Sequence, residues 1–415
     1  MRSSMSRMFG IAFVVLLGLA AAACGSSSSA TSSAATGSSS ASSSHAPRGS
    51  IKIGGIFGRT VTKDPDIGAY EAVDAFFRNA NDTGGINGYT FTFDGVDDQG
   101  DPAQFGAAVQ RLAGENVNVI ISSAQTEVTG GLPQIQASGL PYIGGNAHPR
   151  AVVETPNVFP TGANYQNGNA KLLETLISSQ KPPVSAATVT AVNHPSVKPA
   201  VDTVVAGLDA AGIKVTQTGS FELTETDFTG VAAQIVDSGV KDAVVYALNS
   251  QQPGIVQALE QQGYDGSIYG GAYDPALPQK LGTAGDGRFY SAQPWAALGS
   301  GDAGAKAEAI VKKYYPDVDL MASRKAMDAW TSAEIFAEAV KNLGDKPVSS
   351  ASIIDTLNTF SDFNSTFMAP ITYKPGADGH LDVSNCMQAL VIKGGAWNIV
   401  GSDRFTCWQG SVAPK

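Results

Sequence analysis

Four histidines (His45, His148, His194, His380) and three cysteines (Cys24, Cys386, Cys407) are the soft metal-ligating side chains of this 415-residue chain, and they never fall at ligand spacing. No Gly-x-Ser-x-Gly turn occurs in residues 50–415, no His-Glu-x-x-His occurs anywhere, and no histidine lies in a motif that would activate a serine. Neither Cys386 nor Cys407 has a nearby histidine to make it a nucleophile. A carboxylate pair for general acid–base work would have to be gathered from afar, out of Asp64, Asp66 and Asp274. The side chains present suit holding a molecule better than changing it. Nucleic acid is disfavoured as a partner: without Arg2 and Arg7 of the N-terminal segment, 25 basic residues face 37 acidic ones, a net charge of −12 that repels a polyanion.

That N-terminal segment has its own chemistry. Arg2 and Arg7 precede an uncharged run, Met8 to Ala23, whose 16 residues would span about 24 Å as a helix, short of the roughly 30 Å of a bilayer core. A basic start, a short apolar middle and small residues describe a secretory signal over residues 1–23. Cys24 and Gly25 follow, and the junction resembles a bacterial lipoprotein signal, although Ala21 stands where Leu is usual. Lipidation of Cys24 is the reading; the alternative is plain secretion. Residues 25–49 carry no large apolar side chain, and a Ser/Gly/Ala coil of that length reaches about 25–30 Å. With Cys24 lipidated, Cys386 and Cys407 remain in an oxidising compartment, where they pair or persist as two free core thiols. A bridge would close a loop of about 20 residues and contribute roughly 3 kcal/mol.

The remaining 366 residues, 50–415, exceed one ordinary core and suit two lobes. Strand-like runs at 51–57, 89–96 and 117–122 alternate with helical stretches at 67–82 and from Asp101-Pro102 to about Glu115. In the first helix Ile67, Tyr70, Val73, Phe77 and Ala80 recur on one face; Asp101 caps the second, with proline at its first position. After about residue 165 the alternation restarts, with strands at 187–192, 213–219, 242–248 and 267–271 and helices at 196–211, 227–239 and 252–263. Helices at 302–315 and 325–343 follow, then strands near 369–374, 388–393 and 397–400. The fold class is α/β: two Rossmann-like lobes built on parallel sheets. Ligands bind at the carboxyl ends of such strands, so two lobes present two half-sites and a cleft.

IKIGGIFG at 51–58, GGINGYTFTFDGVDDQGDPAQ at 84–104, GLPYIGGNAHP at 139–149, TDFTGVAAQIVDSGVKDAVVYA at 226–247 and FMAPITYKPGADGH at 367–380 follow one another in a known order. The chain resembles the leucine/isoleucine/valine-binding family, solute-binding proteins of ABC importers with the type I periplasmic binding fold, over essentially all of 50–415. The resemblance implies lobe 1 from 50–168 and 296–368, lobe 2 from 169–295 and 369–415, a three-segment hinge, and closure on a buried solute. It also implies no cofactor and no reaction, a small polar solute that is amino-acid-like or related, an ABC permease as partner, a monomer, and a place outside the cytoplasm, anchored by lipid alone to the outer face of the membrane. A sensor handing its closed form to a signalling protein is the alternative, and a secreted hydrolase a more distant one.

The resemblance places solute contacts in loops after strands. In lobe 1 these are Arg59 and Thr60, where an Arg fork would take a carboxylate; Gln125 and Thr126, where Thr126 keeps the family's hydroxyl; and Asn146 and Ala147, which offer backbone groups. His148, before Pro149, reads as structural. In lobe 2 the nearest positions are His194, Ser196, Asn249, Tyr273 and Asp274. The family's two aromatics are missing there and its ammonium-binding acid is displaced or absent, with Asp274 as substitute or as turn cap. Trp295 reads as hinge packing, and Arg324-Lys325 as a solvated charge pair near the crossovers.

Overall fold

The computed structural model describes residues 46–408 except 62–65, 125–126, 146–149, 164, 194–196, 249, 271–272 and 376–382. The signal, Cys24 and nearly all of the serine-rich segment lie outside the described residues.

The first sheet is wholly parallel. Its strands β1 (Gly49–Phe57), β2 (Tyr89–Asp97), β3 (Val119–Ser122), β4 (Tyr142–Gly144) and β5 (Val158–Phe159) lie in the order β2-β1-β3-β4-β5, joined by helices α1 (Ala69–Asp82), α2 (Pro102–Gly114), α3 (Val128–Ser138) and α4 (Arg150–Glu154). Alternation along β1 sends Ile51, Ile53 and Phe57 into one core and Ile56 into another on the opposite face, as a sheet covered on both sides requires. The cap on α2 forms as its sequence indicates, with Asp101 accepting from the N–H groups of Ala103 and Gln104 at 2.9 Å each.

The second sheet follows α5 (Tyr165–Ser178). Strands β6 (Ala186–Val192), β7 (Lys214–Phe221), β8 (Asp242–Tyr246), β9 (Ser267–Gly270) and β10 (Phe289–Gln293) alternate with α6 (Lys198–Ala210), α7 (Thr229–Asp237), α8 (Gln252–Gln261) and the short α9 (Leu277–Leu281). The chain then returns to the first core with α10 (Gly301–Tyr314), α11 (Arg324–Asn342) and α12 (Ser350–Leu357), which bury Val311, Met327, Trp330, Phe336 and Ile353 beside α1. It ends on the second sheet with β11 (Cys386–Lys393), β12 (Ala396–Ile399) and β13 (Thr406–Cys407). The order is β12-β11-β10-β9-β8-β6-β7, with β11 antiparallel to β10 and β13 paired to β11. Cys386 and Cys407 face each other in that last pairing and are bridged, so the free-thiol alternative falls away. The result is the expected α/β architecture of two lobes, on one parallel sheet and one sheet that is parallel from β7 to β10 with an antiparallel edge. Among the described residues no helix is long and apolar enough to cross a membrane.

Three expectations need correction. Helix α1 begins at Ala69, and Ile67 lies before it, 65% exposed, not on its buried face. Gly68, at φ 73°, turns the chain through the left-handed region, and Asp66 points inward to other partners. No strand forms over 369–374, where only Ile371 makes an isolated bridge, to Phe363. Pro370 within that segment and Pro375 just after it offer no ladder N–H. Lys325 is not solvated but 6% exposed.

Candidate functional site

In both sheets the second strand in sequence lies on one side of the first and the third on the other, so each sheet has a switch point: between β1 and β3, and between β6 and β8. A crevice opens there at the carboxyl ends. On the first sheet this crevice is built around Asp66, 5% exposed. Its Oδ2 accepts from the Gly58 N–H after β1 at 2.9 Å and from the Ser123 hydroxyl after β3 at 2.8 Å. Its Oδ1 accepts from Lys325 Nζ in the first turn of α11. One carboxylate thus locks two strand-end loops and a helix start, and its charge is balanced by a buried ammonium, the condition on which a buried ion is tolerated.

Arg59 and Thr60 stand on the rim of the same crevice. Asp97, at the end of β2, accepts from the Arg59 N–H at 3.0 Å, the Thr60 hydroxyl at 2.7 Å and the Gln99 N–H at 2.9 Å. Burial works to raise the Asp97 carboxyl, but these hydrogen bonds prevail and hold it below its ordinary value. The Thr60 proton is committed to Asp97, which leaves the Thr60 oxygen as an acceptor. The Arg59 guanidinium lies 4.4 Å from the Tyr70 ring centre and 3.4 Å from Glu71, still 46% exposed. Next to Asp97, burial, with the like charges of Asp66, Glu127 and Asp97 adding to it, pushes the Asp98 carboxyl up to about 6 against a hydrogen bond from the Gly100 N–H.

The floor is made where the chain passes between sheets. It crosses after β5 at Thr161, after β10 at Trp295 and after α12 at Met368. Trp295 and Met368 pair as an antiparallel bridge, and the Ala296 N–H donates to the Phe367 carbonyl at 2.7 Å. Arg404 donates to the carbonyls of Ala296 and Thr366, tying the second and third crossovers together. Arg324, Lys325 and Asp328 of α11 line the space above these crossovers, and Arg324 stacks over Trp295 at 5.7 Å. Asp328 is 4% exposed and touches the Thr161 hydroxyl. Burial pushes its carboxyl up to about 7, against the opposing pull of Thr161 and Lys325.

On the second sheet the described candidates have neighbours of their own. Asp274 caps the Ala276 N–H at 2.8 Å, pairs with Lys280 at 3.0 Å and gives its carbonyl to the Trp397 indole at 2.8 Å. That is the turn-cap arrangement. Tyr273 packs on Trp397 with ring centres 6.0 Å apart. Gln251, 6% exposed, takes the Leu248 N–H at 3.2 Å and donates to the Leu223 carbonyl at 3.1 Å, stitching the loops after β8 and β7. Gln125, Thr126, Asn146, Ala147, His148, His194, Ser196 and Asn249 lie outside the described residues, as does Asp64. The carboxylates that a hydrolase would need are engaged: Asp66 by Lys325 and Asp274 by Lys280.

Sequence reasoning placed Asp66 only among three scattered carboxylates and Lys325 only in a solvated pair near the crossovers, and it missed Asp328 and Thr161. The available signal was a lysine and an aspartate three apart, Lys325 and Asp328, in a helix whose other residues over 326–333 are apolar or small polar. Among the described residues no group of three His, Cys, Asp or Glu side chains is arranged to hold a metal.

The sequence profile of the periplasmic binding proteins matches residues 50–396, and the chain belongs to that family. This is a family of solute-binding transport proteins, not of enzymes. No curated protein matches the sequence. Solved structures share the fold at low identity. A branched-chain amino acid ABC transporter protein from Thermus thermophilus with bound valine is 17% identical, with 88% of this chain and 98% of that one covered and a TM-score of 0.69. A fatty acid ABC transporter substrate-binding protein from Thermomonospora curvata is 17% identical over 88% of this chain and 95% of that one, at 0.69. A leucine-, isoleucine-, valine-, threonine- and alanine-binding protein from Brucella ovis, in a closed conformation, is 16% identical over 86% and 95%, also at 0.69.

Proposed function

We propose that this protein is an extracytoplasmic, lipid-anchored receptor that captures a small polar, amino-acid-like solute between its lobes and delivers it to an ABC import permease. The observation that carries the reading is the convergence of three crossovers with the strand-end loops of the first sheet on one floor, Thr161, Trp295, Met368, Lys325 and Asp328. A hinge made of three chain segments lets two sheets rotate as bodies without unfolding either. A solute touching loops of both lobes then favours the closed form by the contacts it makes only there. The permease reads the closed form, and the solute leaves unaltered.

The solute contacts proposed are Arg59, Thr60, Gln125, Thr126, Asn146 and Ala147 from lobe 1, and His194, Ser196, Asn249 and Tyr273 from lobe 2. Asp274, paired with Lys280, is proposed with them as the substitute for the family's ammonium-binding acid. Amino-acid chemistry is supported by relatives of the same fold whose names specify valine and other small amino acids. The Arg59 guanidinium, half exposed on the rim, suits a carboxylate. Lipid anchoring through Cys24, a monomeric state and the lobe limits 50–168 with 296–368 and 169–295 with 369–415 belong to the same proposal. The basic and apolar signal, the cysteine after it and the serine-rich tether support export and anchoring.

A thermal-shift screen of the exported protein against amino acids, small amides, polyols and fatty acids tests the reading. An amino-acid-like solute raises the melting temperature, by about 2.7 kcal/mol of stabilisation at a hundredfold excess over its dissociation constant. Metabolic labelling with a lipid precursor, lost in Cys24→Ser, tests the anchor.

A further inference from the structure

We infer that Asp328 is a positioning residue for the solute-binding loop after β4, acting through Thr161 as a protonated link that opens when its proton leaves. The case begins with Thr161, which has one hydroxyl proton and two acceptors in reach. Its Oγ1 lies 2.9 Å from the Gly145 carbonyl and also in hydrogen-bond contact with Asp328 Oδ1. Were Asp328 ionised, both partners would be acceptors, and one of the two contacts would set lone pair against lone pair. With Asp328 protonated at Oδ1, both Thr161 contacts are satisfied: the carboxyl O–H donates to Thr161 Oγ1, and the Thr161 O–H donates to Gly145. The Asp328 Oδ2 has no hydrogen-bond partner among the described residues, so an ionised carboxylate would leave half its charge unanswered in a buried position.

The surroundings agree. Lys325 and Arg324 on the same helix are the cations close by, and Lys325 is already bound to Asp66 from the loop before α1. The Asp66 charge opposes ionisation. The phenols of Tyr142 from β4 and Tyr373 from the third crossover are near enough to feel the Asp328 charge, and Tyr373 donates to the Pro160 carbonyl on the first crossover at 2.6 Å. Burial outweighs the cations and sets the carboxyl at about 7. The space lined by Gly145, Thr161, Arg324, Lys325 and Asp328 is about 10 Å³, room for a single water.

Gly145 is the last residue before Asn146 and Ala147, the proposed backbone contacts, so the link joins hinge, first crossover and solute loop. Loss of the proton hands the Thr161 hydrogen to Asp328 and frees the Gly145 carbonyl from its side-chain donor. The Thr161 N–H, 3.1 Å away, still holds it, so Gly145 keeps one of its two donors. The consequence for solute affinity rests on the function proposed above; the link itself does not, and its test uses no solute.

The test is NMR of the carbon-13- and nitrogen-15-labelled full chain between pH 5 and 9. The Asp328 carboxyl is assigned by its loss in Asp328→Asn. Expected is a carboxyl midpoint near neutral pH, with the Thr161 and Gly145 amides shifting at the same midpoint. In Thr161→Val the carboxyl still titrates and the Gly145 amide no longer follows it. Thr161→Ser, which keeps the hydroxyl, restores the coupling. An Asp328 carboxyl already ionised at pH 5 overturns the inference, as does a Gly145 amide that ignores the titration or follows it equally in Thr161→Val. If Asp328→Asn does not fold, the Thr161→Val and Thr161→Ser pair decides on the amide readout alone.

Discussion

Lys325 Nζ and Asp66 Oδ1 form a buried ion pair across 259 residues of sequence, with 8% and 3% of their side chains exposed. It joins the first turn of α11 to the loop that carries the chain from β1 to α1. Because Asp66 also holds Gly58 and Ser123, the shape of the lobe 1 crevice depends on this pair.

Removing one partner leaves the other charged and buried. Lys325→Met should therefore cost about 3–5 kcal/mol. Asp66→Asn should cost a comparable amount, since it strands the ammonium. The double variant should be less destabilised than the two costs added, with a coupling of about 1–3 kcal/mol in a double-mutant cycle measured by urea unfolding. Strictly additive costs would show that the two groups do not act as a pair.

Asp98 gives a pH dependence of definite sign. Its folded carboxyl sits at about 6, above the 3.8 of a free aspartate, so the folded chain binds this proton more tightly than the unfolded chain does. Its contribution is complete below pH 4 and is lost as the pH rises through 6. The loss is about 2–3 kcal/mol. Asp98→Asn keeps an acceptor for the Gly100 N–H and carries no charge. The stability of Asp98→Asn relative to the native chain should rise between pH 4 and pH 7 in denaturant midpoints taken at each pH. An unchanged difference would place the Asp98 titration elsewhere.

The disulfide between Cys386 and Cys407 fastens β13 to β11 and seats Trp408 in the second-lobe core, 5% exposed. Replacing both cysteines with serine should cost about 3 kcal/mol, from the loop entropy restored to the unfolded chain. A guanidinium titration of both forms measures it, and equal midpoints would mean that the bridge restrains nothing.

The alternation of β1, the Asp101 cap and the two-lobe repeat were legible because each is written in neighbouring residues. Helix α3 was not. Its sequence, VTGGLPQIQAS, holds two glycines and a proline and has low intrinsic propensity. It is helical because Gly131 lets it press against Phe105 of α2, where a Cβ would come within 2.4 Å of the ring. Strand β10 and helix α5 were missed for a related reason, since their apolar residues are buried by partners distant in sequence. At the site, Arg59 and Thr60 were legible as strand-end loop residues. Lys325 read as solvated because its counter-charge lies in the first lobe's opening loop, which no local pattern indicates. Asp328 and Thr161 become a pair only once the first crossover lies against α11.

The most direct measurement is small-angle X-ray scattering of the exported protein, with and without each solute that raises its melting temperature. A solute that binds should reduce the radius of gyration as the lobes close, and should be recovered chemically unchanged from the same sample. A stabilising solute that leaves the radius of gyration unaltered would contradict capture between hinged lobes.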